Sequence, residues 1–181
     1  MVKKNILINF MKNLKKSLIL KSNYTYNKKK FLKNFFLKKY KFLIPKFINL
    51  LMINGKKSIS EKLFFTTFKI LSLKTKKFPF FIFFFALKNI SPLVNIRSIK
   101  IKGRSYQVPI PLKESKQFII GIKWLIKTCQ NIKLTKTNLF SDVLTEQLLL
   151  AYKKKGEIIK KKYELHRLAK ANRLFSNFRW F

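Results

Sequence analysis

Hydrophobic residues recur along most of this chain at helical spacing, and the polar interruptions between them mark where each helix should stop. Phe47, Ile48, Leu50, Leu51 and Met52 form a first apolar group that ends at Asn54-Gly55, a turn signal. Ser58-Ile-Ser-Glu61 then matches the capping-box pattern and predicts a helix over about 59–73, with Lys56 and Lys57 in the connecting turn. Phe78 to Leu87 is the longest apolar run; Pro79 limits its start, and Pro92 closes the short helix it predicts to about Asn89. At about ten residues the run falls well short of the ~20 that a membrane-spanning helix needs, so it reads as a buried segment, with an exposed partner-binding surface as the alternative.

The period changes from helical to alternating at residues 94–110. Val94 and Ile96, then Ile99 and Ile101, face Tyr106, Val108 and Ile110 across Lys102-Gly103-Arg104-Ser105. This predicts a β-hairpin with a cationic tip, and the phase shift at Ser98 suggests a bulge. Pro109 and Pro111 cannot donate to a ladder, so the second strand should lie at an edge. Helical spacing returns over 116–130, with Phe118, Ile119, Ile122, Leu125, Ile126 and Cys129 on one face and Ser115 as N-cap. It recurs over 139–155, where Lys153-Lys154-Lys155-Gly156 supplies cations for the last turn and a Gly to stop it. A final helix over about 158–178 places Leu165, Leu168, Ala169, Asn172 and Phe175 on one face. His166, Lys170, Arg173 and Asn177 form a stripe on another.

Charge changes the picture more than any motif. Of 181 residues, 42 are Lys or Arg and 6 are Asp or Glu, giving a formal net charge of +36. Such a chain repels itself, and a polyanion is the simplest neutralising partner. With 48% hydrophobic residues it is nonetheless too apolar for a disordered polycation. Phe, Ile, Asn, Lys and Tyr abound while Ala, Gly, Pro and Arg are scarce. That is the signature of AT-rich codons, so base composition accounts for part of the lysine and points to an organelle genome. It does not explain why no acid precedes Glu61. Residues 1–40 carry Lys but no Arg, acid, Pro or Gly, and form a basic N-terminal extension to a domain over 41–181. They fit a targeting segment poorly, because mitochondrial presequences favour Arg and Ser.

One cysteine, Cys129, and one histidine, His166, allow neither an internal disulfide nor a structural zinc site, and no cofactor motif is present. The scattered acids provide no catalytic pair, so the chain does not read as an enzyme. Cys129 and Trp124 read as core residues, while Trp180 is open between packing and stacking. His166 reads as a hydrogen-bonding group toward RNA or backbone rather than a catalyst.

Several segments in order carry a family resemblance. They are Asn54-Gly-Lys-Lys-Ser58, Ser91-Pro-Leu-Val94 leading to Arg97, Gly103 to Pro109, Ile122-Lys-Trp-Leu125, Leu165 to Arg173 (LHRLAKANR) and Phe178-Arg-Trp180. Over about residues 46–181 the chain resembles the small-subunit ribosomal protein seven family in its bacterial and organellar form. Its end at Phe178-Arg-Trp-Phe181 looks most like the plant-type mitochondrial members. The resemblance implies a mainly α fold, a bundle of about six helices with a protruding β-hairpin ribbon. It also implies a place in the small subunit of the mitochondrial ribosome, among neighbouring small-subunit proteins. There the chain would bind the 3′ major domain of small-subunit rRNA and support head assembly, close to exit-site tRNA and the mRNA exit channel, without membrane insertion.

By position, Lys56, Lys57 and Ser58 would meet RNA from the helix connection. Arg97, Lys100, Lys102, Arg104 and Tyr106 would do so from the ribbon, and His166, Arg167, Lys170, Asn172, Arg173 and Arg179 from the terminal helix. Arginine's planar fork makes the five arginines the stronger phosphate ligands. The family commonly has Gly-Gly at the ribbon tip; Lys102-Gly103 here argues against a tight turn with two positive φ angles. The alternative function is a basic nucleic-acid-condensing or membrane-surface protein without a specific RNA site.

Overall fold

The computed structural model describes residues 42–76, 78–135 and 139–178, so the extension over 1–40, Arg179 and Trp180 lie outside the described residues. Helix α1 covers residues 42–51 and buries Leu43, Ile44, Phe47, Ile48 and Leu51, a single face at helical spacing. It stops where the sequence predicts, at Asn54 (φ 50°) and Gly55 (φ 71°). Two consecutive left-handed residues reverse the chain abruptly, and the Lys56 amide donates to the Ile53 carbonyl at 3.1 Å.

That reversal overturns the capping box. Helix α2 (Lys57–Thr75) begins with Lys56 at the N-cap and no side-chain cap, which leaves Ser58 inside the first turn. The Ser60 hydroxyl instead donates back to the Lys56 carbonyl at 3.4 Å. Ser60, Phe64, Thr67, Phe68 and Leu71 form the buried face.

Helix α3 (Pro79–Ile90) starts on Pro79, whose missing amide proton costs nothing in a first turn. Phe80, Ile82, Phe83, Phe84, Ala86, Leu87 and Ile90 are buried, so this helix is apolar nearly all round, as befits a central element. The Phe-rich run is therefore core, with only Phe81 substantially exposed. Around it pack α2, α4 (Glu114–Thr135), α5 (Phe140–Tyr152) and α6 (Glu157–Ala171). Ser115 does not cap α4; it lies within the first turn, and the Gln117 amide reaches the Lys113 carbonyl at 3.0 Å. Gly121 permits a close approach: a Cβ there would sit 3.1 Å from the Ser91 hydroxyl at the end of α3, tight enough that the serine would have to shift.

Helix α5 ends at Tyr152 in a Schellman arrangement. The Lys155 amide bonds the Leu150 carbonyl at 2.8 Å, and the Lys154 amide bonds that of Ala151 at 3.1 Å. Lys154, not Gly156, takes the left-handed position (φ 57°), and Gly156 (φ 100°) becomes the N-cap of α6. Three of the six acids, Glu114, Asp142 and Glu157, sit in first turns, where a carboxylate complements the positive end of the helix dipole.

One polar junction ties three helices. Asn89 donates to the Ala151 and Tyr152 carbonyls at 3.1 and 3.2 Å, and Lys162 Nζ donates to the Asn89 carbonyl at 2.7 Å. Burial, and then the nearby Lys154, lower the Lys162 pKa. Asn89→Ala leaves two terminal carbonyls of α5 without this donor and should destabilise the fold by about 1–3 kcal/mol, read as a lower urea midpoint.

The hairpin pairs β1 (Val94–Ile101) with β2 (Arg104–Pro111) in an unbroken antiparallel register, from Val94 opposite Pro111 to Ile101 opposite Arg104. No residue is skipped, so the bulge expected at Ser98 is absent. Val94 and Ile96 point to one face of the ribbon, whereas Ile99 shares the other with its partner Tyr106 and with Val108. The phase shift therefore records a change of covered face. Lys102 (φ 47°) and Gly103 (φ 78°) make the tight two-residue turn that the Lys-Gly sequence argued against. The turn geometry overrides the side-chain preference at Lys102.

The predicted terminal helix also divides. Asn172 ends α6, its side-chain amide and its backbone amide both donating to the Leu168 carbonyl at 2.9 and 3.0 Å, and a 3-10 helix follows over Arg173–Phe178. A side chain competing for that carbonyl is a local reason for the break. The buried residues of α6 are Ile158, Ile159 and Ala169; Leu168, expected inside, is exposed.

Candidate nucleic-acid interface

Positive charge is carried by three separate pieces of backbone. The α1–α2 turn exposes Lys56, Lys57 and Ser58, held outward by the left-handed Asn54-Gly55 pair. The ribbon exposes Arg97, Lys100, Lys102 and Arg104 and carries no acid. Near its tip the Ser98 and Ser105 hydroxyls bond across the strands at 2.7 Å, which braces the ribbon beneath the cations.

The 3-10 helix closes against the ribbon toward its tip, and α6 closes against its root. Tyr106 packs on Phe175 and Phe178 with ring centroids 5.2 and 5.6 Å apart, so its ring is committed within the protein. The Leu93 amide donates to His166 Nε2 at 3.2 Å. Accepting that bond requires an unprotonated Nε2, and burial, then Lys162, lower the imidazole pKa. His166, Lys170 and Arg173 line one open hollow of about 370 Å³ with Leu93, Pro109 and Pro111.

The predicted stripe is thus only partly assembled, because the break at Asn172 separates Asn177 from it. Arg167 lies on another flank of α6 with Lys160, Tyr163 and Glu164. The side chain of Asn172 is turned to its own helix. Arg179 lies outside the described residues.

Two features escaped the sequence reading. The spacing of Lys160, Tyr163, Glu164 and Arg167 at i, i+3, i+4 and i+7 could have revealed that flank. Nothing local announces the Phe175–Phe178 clamp on Tyr106. Trp124 is half-buried with Lys161 Nζ 5.4 Å from its ring centre, a cation–π contact within the body. Cys129 is fully buried, and desolvation pushes its pKa up to about 12, which suits packing and not reactivity. Among the described residues no three His, Cys, Asp or Glu side chains are grouped to hold a metal ion, and no helix is long and apolar enough to cross a membrane.

Known proteins resemble this chain in sequence. The family model for ribosomal protein S7p/S5e matches residues 11–173, reaching further toward the N-terminus than the motifs noted above. The chain is 37% identical over 138 residues to small ribosomal subunit protein uS7m of Reclinomonas americana, covering 76% of this chain and 85% of that protein. It is 38% identical over 153 residues to uS7m of Xenopus laevis, covering 76% of this chain and 65% of the other. Against small ribosomal subunit protein uS7 of Pelagibacter ubique it is 36% identical over 138 residues, covering 76% and 86%. A helical body with a two-stranded cationic ribbon, matched along most of its length, places the chain in the ribosomal protein S7p/S5e family.

Proposed function

We propose that this chain is a structural constituent of the small subunit of a mitochondrial ribosome, where it binds the 3′ major domain of small-subunit rRNA and supports assembly of the head. Family members are structural components and not enzymes, and this chain is one of them. The likeness to two mitochondrial relatives supports the compartment. Proximity to exit-site tRNA, to the mRNA exit channel and to neighbouring small-subunit proteins belongs to the same proposal.

The observation that carries the RNA reading is the ribbon: four cations, no acid, and a braced backbone that presents them to solvent. Phosphates neutralised by such groups release condensed counterions, which makes binding steeply dependent on salt. Lys56, Lys57 and Ser58, and Arg167, Lys170 and Arg173, extend the proposed surface. Tyr106, His166 and Asn172, whose side chains are engaged within the protein, serve it indirectly.

The test separates a shaped site from a diffuse field. Changing Arg97, Arg104 and Arg173 together to Lys preserves charge but removes the planar forks. The variant should bind a transcript of the 3′ major domain at least about tenfold more weakly than the unaltered chain, a difference of about 1.4 kcal/mol. Its affinity for an unrelated transcript should barely change. Equal losses on both RNAs, or none on either, would support the condensing or membrane-surface alternative.

A further inference from the structure

We propose that His166 is a positioning residue for the ribbon rather than an RNA ligand: its Nε2 holds the Leu93 amide, 73 residues away in sequence, and so fixes the angle at which β1 leaves the body. This deepens the reading of the ribbon as an RNA-contacting element and rests on it.

The joint before β1 is short of backbone anchors. Pro92 has no amide proton, so Leu93 supplies the first donor after the end of α3. The Leu93 carbonyl is already used within the hairpin, accepting the Leu112 amide at 3.0 Å. That bond joins the two strands to each other and does not by itself set their common direction. Where α6 packs against β1, the Leu93 amide bond to His166 is the directional link between them. On the other strand, Val108 is fully buried and Tyr106 rests on Phe175 and Phe178, apolar contacts that lack the directionality of a hydrogen bond. A directional hydrogen bond at one strand and an aromatic clamp at the other together define an orientation.

The surroundings suit the role. Histidine reaches from the middle of α6 with a rigid ring, and an acceptor nitrogen is available only while the ring is neutral. The charged groups lining the same hollow, Lys170 and Arg173, are both cationic and disfavour a second proton. Burial and Lys162 act in the same direction.

The experiment uses the full chain with spin labels at Gln107→Cys on the ribbon and Gln130→Cys on α4, both exposed positions outside the proposed RNA surface. Cys129 between them is buried with a raised pKa and should remain unlabelled. Two variants are compared in this background. H166L removes the acceptor, whereas H166Q keeps an acceptor oxygen at similar reach. H166L is expected to broaden the ribbon-to-body distance distribution and to weaken binding of the 3′ major domain transcript by about threefold to tenfold, the scale of one lost hydrogen bond. H166Q should restore both. An unaltered distance distribution in H166L overturns the proposal, and overturns it in favour of direct RNA contact if affinity alone falls. Should H166L not fold, H166A makes the same comparison. Failure of the unaltered chain to bind the transcript would refute the proposed function instead, and the distance measurement would still decide the role of His166.

Discussion

Changing Arg97, Lys100, Lys102 and Arg104 together to Ala is expected to lower affinity for the 3′ major domain by about a hundredfold to a thousandfold near 0.1 M monovalent salt. The four side chains are exposed on the ribbon, whose ladder is made by the backbone. Each phosphate left unneutralised removes about 0.7–0.9 from the slope of log affinity against log salt. Four contacts thus account for a slope change of about 3, and at a tenth of molar salt that change corresponds to the upper end of the expected loss. The helical body should be nearly as stable as before, since exposed substitutions usually shift stability by less than about 0.5 kcal/mol. The decisive measurement is the slope. A variant with lower affinity but an unchanged salt slope would mean that the ribbon cations act on the protein and not on phosphate.

The same ribbon shows what could be read from the sequence and what could not. Alternation of Tyr106, Val108 and Ile110 is a local consequence of the strand's two-residue period, so the hairpin and its cations were legible, whereas the tight turn at Lys102-Gly103 was not. Helix existence was legible for the same reason, from repeats of Phe64, Phe68 and Leu71 or of Val143, Leu144 and Leu148. Helix ends were not. Ser58 and Ser115 both look like caps, yet the cap is decided by where the chain reverses, and left-handed backbone at Asn54 and Gly55 moved one start to Lys57. Lys154 occupying the left-handed site in place of Gly156 is a similar case: the Schellman bonds to Leu150 and Ala151 outweigh the preference for glycine.

Contacts between distant segments left no trace in local pattern. His166 was legible as a hydrogen-bonding group but its partner Leu93 was not, and the same holds for Tyr106 with Phe175 and Lys162 with Asn89. A stripe at helical spacing exists only along one continuous helix. When Asn172 draws its side chain onto the Leu168 carbonyl, Arg173 and Asn177 pass into a 3-10 segment, where the 3.6-residue period no longer applies.

The largest effect on stability is expected at Phe83. Its side chain has no exposed surface and lies at the centre of a ring cluster, 5.4 Å from Phe47, 5.8 Å from Phe64, 5.5 Å from Phe68 and 6.3 Å from Phe80. These rings come from α1, α2 and α3, so a void at Phe83 touches three elements that must relax together. Phe83→Ala should cost about 3–5 kcal/mol, a large share of the roughly 5–15 kcal/mol that holds a typical domain. Phe81→Ala, at a position 38% exposed on the same helix, should cost far less, and urea midpoints at moderate salt would show the contrast. Equal losses would contradict a central α3. The Phe83→Ala chain also links the two halves of the molecule's physics. Self-repulsion of its cations already weakens the free protein, and RNA that binds only the folded form stabilises it by about 2.7 kcal/mol at a hundred times Kd. A Phe83→Ala chain that is largely unfolded alone should therefore regain much of its helical signal when the 3′ major domain transcript is added, whereas an equal charge of unstructured polyphosphate should restore less.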